Sequence, residues 1–434
     1  VNYKYEDTLG YSVSIDADYG LFDKWNKNLQ SNIYSDYQGV ITDNNLYRTL
    51  NGIEIGLKGI KFDYGMNVWK GKLEVGVKYS HVGSNNDSRF FHVADPSDSL
   101  DNRRSNDFHF AESVRATYID YKRTIGVFSL QGGARLENSS SQGELFFKEN
   151  NAERGEIITR DFTHLFPFFS VSLMPTSHST MSLSYAKRID RPAYQDLNPF
   201  IYMLDELSFW QGNPFLNPSL TQRFSFLYSL RNSTIVNFNF AYTDQLIAKV
   251  IDTLDADKMV MISKNLGTQK HWSLNLTQHF LAKPWWDITF NGLVYYIHND
   301  VSFDEYRNFD LHQLAGRASL VQVFKLPFNI KGELNAVYTS KRLSGANTLS
   351  RSISQVDIAL QKSLLKDKAT IRFAINDIYK GNTNRYTQNF PGFSSSSYGY
   401  YESRQVRLSF NYRFSNGKTK AQRVRKSALE SESG

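Results

Sequence analysis

The chain has 434 residues and no cysteine, so neither a disulfide framework nor a thiolate metal site holds it together. Its 50 basic and 43 acidic residues leave a net charge of +7, spread along the chain rather than gathered in a stripe, which speaks against a nucleic-acid partner. Mean hydropathy is −0.46, and no run approaches the roughly 20 apolar residues of a spanning helix; alternating strands, whose hydropathy is diluted, stay open.

Aromatic residues make up 15% of the chain. Rings favour strands and gather at membrane–water interfaces. Strand signals repeat nearly without a break. Tyr11, Val13, Ile15, Ala17 and Tyr19 alternate with Ser12, Ser14, Asp16 and Asp18. Leu73, Val75, Val77 and Tyr79 alternate with Glu74, Gly76 and Lys78. The same pattern returns at Met181, Leu183 and Tyr185, then at Val236, Phe238, Phe240 and Tyr242. It continues at Trp286, Ile288 and Phe290, and again where Phe328, Ile330, Leu334 and Tyr338 alternate with Asn329, Lys331, Glu333 and Asn335. It ends in VRLSFNYRF, where Val406, Leu408, Phe410, Tyr412 and Phe414 share one phase and Arg407, Ser409, Asn411 and Arg413 the other. Side chains of a strand alternate faces, so each segment has one greasy and one wet side.

About 17 such segments of roughly 9 to 15 residues fit tilted membrane-crossing strands, and no segment makes a convincing amphipathic helix. The connections are of two kinds. Short ones carry turn residues, at 68–71, 175–179, 231–233, 283–284, 326–327 and 365–368. Long ones are expected at 83–106, 138–160, 189–218 and 378–401. Short turns at one end and long loops at the other are the asymmetry of an outer-membrane barrel. The expected fold is therefore all-β: a transmembrane antiparallel β-barrel over residues 1–414, with a basic, disordered tail over 415–434. On this reading the greasy phase of the final strand faces lipid, with Tyr412 and Phe414 near the periplasmic interface, and the long loops are extracellular.

Counting back from a last strand that ends on the short-turn side, the segment from Tyr11 to Tyr19 is expected to run from loop side to turn side, which gives an odd number of strands. Single-chain bacterial barrels have even numbers, and an open edge in lipid leaves backbone groups unpaired. At least one further strand is expected upstream of Val1, unless the count is off by one.

One region is distinctive. From Tyr185 to Ser219 the chain reads YAKRIDRPAYQDLNPFIYMLDELSFWQGNPFLNPS, in which R-P-x-Y-x-D-L-N-P-F is followed by Q-G-N-P-x-L-x-P. ATYIDYKRTIGVFSLQGGARLEN, from Ala116 to Asn138, carries Y-x-x-Y, a tight turn and L-Q-x-G-x-R-x-E. These stretches resemble the TonB-dependent receptors of the outer membrane, and the likeness covers essentially the whole chain. The resemblance implies a 22-stranded barrel of which about five strands lie elsewhere. It also implies an N-terminal plug domain and a TonB box outside this chain, and recognition of Val406 to Phe414 by the barrel assembly machinery. The residues after Phe414 depart from the family's aromatic terminus.

The implied activity is uptake of a scarce ligand, whether siderophore, vitamin, peptide or glycan; a TonB-independent structural, adhesion or porin-like barrel is the alternative. Candidate ligand contacts in the outer loops are Arg188, Arg191, Tyr194, Asp196 and Trp210, in a loop that could equally be rigid scaffold ordered by its prolines. A second set, Tyr386, Phe390, Phe393 and Tyr400, lies in a Tyr-, Phe- and Ser-rich loop suited to adaptable contacts. On the lumen-facing phase, Asp16, Asp18, Lys331, Glu333, Arg407 and Arg413 are expected to hold the plug. Asp95, Asp98 and Asp101 lack the every-second-residue spacing and central Gly of a calcium loop. The histidines are scattered, and no H-E-x-x-H, G-x-S-x-G, P-loop or dinucleotide fingerprint is present, so neither a metal, a cofactor nor an enzyme is expected.

Overall fold

The computed structural model describes residues 1–94, 97–102, 104–149, 152–199, 201–231, 233–255, 258–302, 308–344, 348–390 and 393–414. Among the described residues eighteen strands form one antiparallel sheet. Seventeen of them follow one another across it in chain order. These are β1 (Asn2–Glu6), β2 (Ser12–Ser35), β3 (Ile41–Val68), β4 (Gly71–Val93), β5 (Asn106–Ile125) and β6 (Phe128–Glu149). There follow β7 (Ala152–Thr176), β8 (Ser179–Asp190), β9 (Ser219–Leu230), β10 (Thr234–Asp244), β11 (Gly267–Lys283) and β12 (Trp286–Ser302). The last are β13 (Asn308–Leu326), β14 (Ile330–Thr339), β15 (Ile353–Leu364), β16 (Ala369–Asn376) and β17 (Gln405–Tyr412). The eighteenth, Ser99–Leu100, pairs on the end of β4.

The pairing register sorts side chains into two faces. One cross-strand row reads Tyr3, Ile15, Phe62, Val77, Thr117, Leu136, Leu165. Another reads Leu183, Phe226, Phe238, Leu274, Val294, and a third Leu334, Ile358, Ile375, Val406. Phe226, Phe238, Leu274 and Val294 are 41% to 53% exposed, with no protein layer over them. An uncovered greasy face of this extent suits an apolar solvent. The opposite face is wet: Asp16, Lys61, Lys78, Ala116, Glu137 and His164 form one row, and Glu333, Ala359, Ala374 and Arg407 another.

Three expectations are revised. Residues 83–93 and 138–149 are not loops but the far ends of β4 and β6. The strands are correspondingly long: β3 has 28 residues and β7 has 25. At about 3.3 Å per residue β3 extends some 90 Å, far beyond an apolar band of about 25 Å. Its far end is held by side chains such as Tyr47, which packs on Phe90 and His92 with ring centroids 5.3 and 5.2 Å apart. Finally, the first strand to run from loop end to turn end is β1, since Tyr11 leaves the turn that joins β1 to β2.

Short turns close one end of the sheet. Trp69 and Lys70 both have positive φ, as do Phe328 and Asn329, which is the turn geometry that matches strand twist. Among the described residues β1 pairs only with β2 and β17 only with β16, so the two edges do not meet.

Candidate functional site

The loop after β8 folds back onto the polar face. Arg191 donates from Nε to Glu112 on β5 at 3.1 Å, and from Nη2 to Glu137 on β6 and to Ser139 Oγ at 2.9 Å. Glu137, only 5% exposed, also accepts from Arg135 Nε at 2.7 Å. Tyr194 opens a single helical turn, Tyr194–Leu197, and its ring centroid lies 5.4 Å from that of Phe110. Leu197 and Leu216 bury against Phe108 and Phe110, which extend the same face of β5. Apolar area thus closes over an ion pair and shields it from water.

The two Asn-Pro corners of the motif meet through backbone. Asn213 N–H donates to the Asp196 carbonyl at 2.6 Å, and its side-chain amide to the Ser263 carbonyl at 3.0 Å. A Cβ on Gly212 would stand 2.0 Å from the Asn198 carbonyl oxygen, so only glycine permits this approach. Arg191, Tyr194, Asp196, Leu197 and Asn198 of the first half and Gly212, Asn213 and Leu216 of the second therefore meet in one clasp.

From the clasp a hairpin, Ile201–Met203 with Ser208–Gln211, runs on to join Lys258–Asn265 and Ile247–Asp255 in a four-stranded sheet. Its tip reaches β2 and β3. Gln30 donates to the Leu204 carbonyl at 3.1 Å, and Tyr47 OH and the Asn45 amide donate to Glu206 Oε1 at 2.7 and 3.3 Å. These partners lie on the wet phase of their strands, five to six strand spacings from β8, or roughly 24 to 29 Å. The loop is thus a strap laid across the polar face of β4 to β7, pinned at both ends. Within it the Trp210 ring lies tilted against Tyr202, centroids 5.1 Å apart, and Lys249 lies 5.8 Å over Trp210 and 3.7 Å from Asp196. Arg188, by contrast, stays on β8, exposed and opposite Thr221.

A second loop group stands beyond β14 to β17. Arg342–Ser344, Thr348–Ser350, Asn384–Phe390 and Phe393–Gly399 form another four-stranded sheet. Tyr386 pairs with Ser350 and Ser397, and Phe390 is in backbone register with Phe393, the side chains of these two phenylalanines lying outside the described residues. Tyr400 donates to Glu402 at 2.9 Å. Asp377, fully buried at the root of this group and outside the strands, accepts from Ser403 Oγ at 2.5 Å and from the Gly381 and Asn382 amides at 2.8 and 3.2 Å. Burial acts to raise its carboxyl, but these donors outweigh it and hold the group below the usual 3.8. A lowered pKa stabilises above the unfolded value and loses that contribution as pH falls. Amide exchange at Gly381 and Asn382 should therefore accelerate as pH drops below 3.8 and through the lower folded value, after correction for intrinsic rates. In Asp377→Asn this pH dependence should vanish; an unchanged profile would contradict it.

The remaining sequence candidates lie where strand phase puts them. Asp16 accepts from Asn2 and Ser14, and Asp18 shares its face. Lys331 pairs with Glu333 at 3.2 Å, and Glu333 also holds Arg372. Arg407 sits opposite Ala374, and the Arg413 amide donates to the Lys368 carbonyl at 2.8 Å. These groups are dispersed over the polar face rather than gathered. Asp98 and Asp101 are engaged with Arg48, and with His92 and Arg104; Asp95 and the tail 415–434 lie outside the described residues. Among the described residues no cluster of three or more His, Asp or Glu could hold a metal ion. Glu112 and Glu137, the partners of Arg191, were not evident in the sequence, because they sit 79 and 54 residues away.

A polar-lined sheet with a greasy outer face is matched over residues 5–412 by the family model described as "Outer membrane protein beta-barrel family". The chain belongs to that family. No curated protein matches its sequence. Among solved structures it is similar to the siderophore receptor PiuA from Acinetobacter baumannii, at TM-score 0.63 and 13% identity over 94% of this chain and 63% of that one. The copper transporter OprC gives 0.62 and 10% over 93% and 64%. The ferric yersiniabactin uptake receptor FyuA from Yersinia pestis gives 0.57 and 10% over 92% and 60%. These likenesses establish a shared fold, and the chain spans about three-fifths of the length of these receptors.

Proposed function

We propose that this outer-membrane barrel is the C-terminal part of a TonB-dependent receptor that takes up a scarce ligand. The observation that carries the reading is the strap. A channel for free diffusion gains from an open lumen, whereas here a buried Arg191–Glu112–Glu137 network anchors a loop sheet across the polar face. A constricted lumen suits a binding site that releases its ligand only when worked upon. On this reading the long loops are extracellular, and the short turns and residues 415–434 are periplasmic. Asp16, Asp18, Lys331, Glu333, Arg407 and Arg413 face a plug domain, and strands outside this sequence join β1 to β17. The outer-membrane fold, and the likeness to a siderophore receptor, a copper transporter and a ferric yersiniabactin uptake receptor, support the proposal.

The test is growth. A strain lacking the full protein should lose growth on at least one limiting iron source, metal or carbon source, and removing TonB should reproduce the loss. Rescue of that growth by the protein in a strain without TonB would overturn the transport mechanism in favour of a porin-like barrel.

A further inference from the structure

The pairing register lays three successive rows across the greasy face of β3 to β7. Nearest the turns run Phe62, Val77, Thr117, Leu136 and Leu165. Next come Ile60, Tyr79, Arg115, Asn138 and Thr163, and beyond them Lys58, His81, Ser113, Ser140 and Asp161. Greasy side chains give way to polar ones across these rows. From Phe128 at the turn end to Asn138, opposite Arg115, the ladder takes ten steps. At some 3.4 Å each and a tilt of about 40° they rise roughly 26 Å, the height of an apolar band about 25 Å tall. The change of character therefore falls where lipid tails meet headgroups.

An open groove of about 500 Å³ lies along this border, spanning the first two rows from β3 to β7. Thr117, the smallest side chain of the first row, sits between Val77 and Leu136. Ile60, Phe62, Val77 and Leu136 are 41% to 52% exposed along the groove. Arg115 lines its polar edge, and Lys58 stands on the other side of β4, two strand spacings or roughly 10 Å away. Both are exposed, and among the described residues neither makes an ion pair. Asp161, the one carboxylate of these rows, accepts from the Asn138 amide at 2.7 Å, and His81 Nδ1 is engaged with Ser113 Oγ at 2.9 Å. A guanidinium fork matches phosphate bidentately, and cations at a membrane surface draw anionic lipid. A soluble anion would leave the apolar groove uncovered, and a lipid without net charge would leave the cations uncompensated. A lipid with an anionic phosphate head meets both demands.

We propose that this groove seats one such lipid, its phosphate between Arg115 and Lys58 and an acyl chain over Thr117. The site needs only the membrane barrel, and its fate is independent of the receptor reading. Native mass spectrometry of the full protein released from detergent tests it. The probes are dimyristoyl phosphatidylglycerol and dimyristoyl phosphatidylcholine, which share their acyl chains and differ in net charge. Phosphatidylglycerol should be retained preferentially, and roughly fivefold more weakly in Arg115→Gln and in Lys58→Gln, the worth of one basic residue at a membrane surface. Thr117→Trp, which fills the groove without altering charge, should weaken retention as well. Heat-modifiable gel mobility checks that each variant is folded; should Arg115→Gln fail it, Lys58→Gln gives the same reading. Equal retention of the two lipids, or unchanged retention of phosphatidylglycerol in the Gln variants, overturns the site. Full retention in Thr117→Trp places the lipid outside the groove and overturns it too. Displacement of phosphatidylglycerol by inorganic phosphate would replace the lipid with a soluble anion and equally overturn the proposal.

Discussion

Replacing Arg191 by Ala should release the strap while leaving the sheet folded. The substitution removes the guanidinium that satisfies both Glu112 and Glu137, whose side chains are 11% and 5% exposed. Breaking a buried pair by deleting one partner costs about 3–5 kcal/mol, because the other charge is left behind in a poor solvent. Arg191 is itself 21% exposed and Arg135 still holds Glu137, so about 2–3 kcal/mol is expected here. That cost falls on docking of the clasp, not on the backbone ladder of β4 to β7. Protease cleavage within residues 192–218 of the full protein in detergent should rise by more than tenfold. Heat-modifiable gel mobility should be unchanged. Arg191→Lys should lie between, since an ammonium cannot bond two carboxylates and a serine hydroxyl in one plane. Unaltered cleavage in Arg191→Ala would show that Leu197 and Leu216 hold the clasp by apolar packing alone.

How much of this was legible in the sequence depended on what each residue faces. Where lipid is the solvent on one side, alternation is enforced. The phase of β17 and the wet positions Asp16, Lys331 and Arg407 could therefore be read from the chain, as could a total of 17 strands. Where neither side faces lipid, the constraint lapses. Gly83 to Ser88 reads as a polar turn, G-S-N-N-D-S, yet it continues the β4 ladder against β5. The same holds for S-S-S-Q-G, from Ser139 to Gly143 on β6.

The loop chemistry was legible in kind but not in destination. The prolines, glycine and asparagines of the motif announced an ordered loop. Nothing local announced that it would fold inward, because Tyr47, Phe110, Glu112 and Glu137 are supplied by three distant strands. Arg191, singled out as a ligand contact, is already occupied by two carboxylates; Arg188, three residues earlier, remains on the open face. Function in this fold is accordingly encoded twice, in a phase that any strand reveals and in long-range docking that only the folded chain reveals.

The largest penalty is expected on the greasy face. Leu274 stands between Phe238 and Val294, four ladder steps from the turn end of β10. With a tilt of about 40°, four steps of some 3.4 Å place it roughly 10 Å into an apolar band about 25 Å tall. Leu274→Arg should cost about 2–4 kcal/mol, as a cation near the bilayer middle must snorkel or drag water inward. Asn275→Arg, one residue on, points to the wet phase between Asn237 and Leu293 and should cost well under 1 kcal/mol, on the general tolerance of lumen-facing positions. Urea unfolding of the full protein from lipid vesicles measures both. The contrast is sharper than either value, because the variants share one strand, one added charge and nearly one depth. A larger loss for Asn275→Arg would invert the two faces and return the greasy side to a protein core. The expected order, Leu274 far above Asn275, is what a sheet solvated by lipid on one side requires.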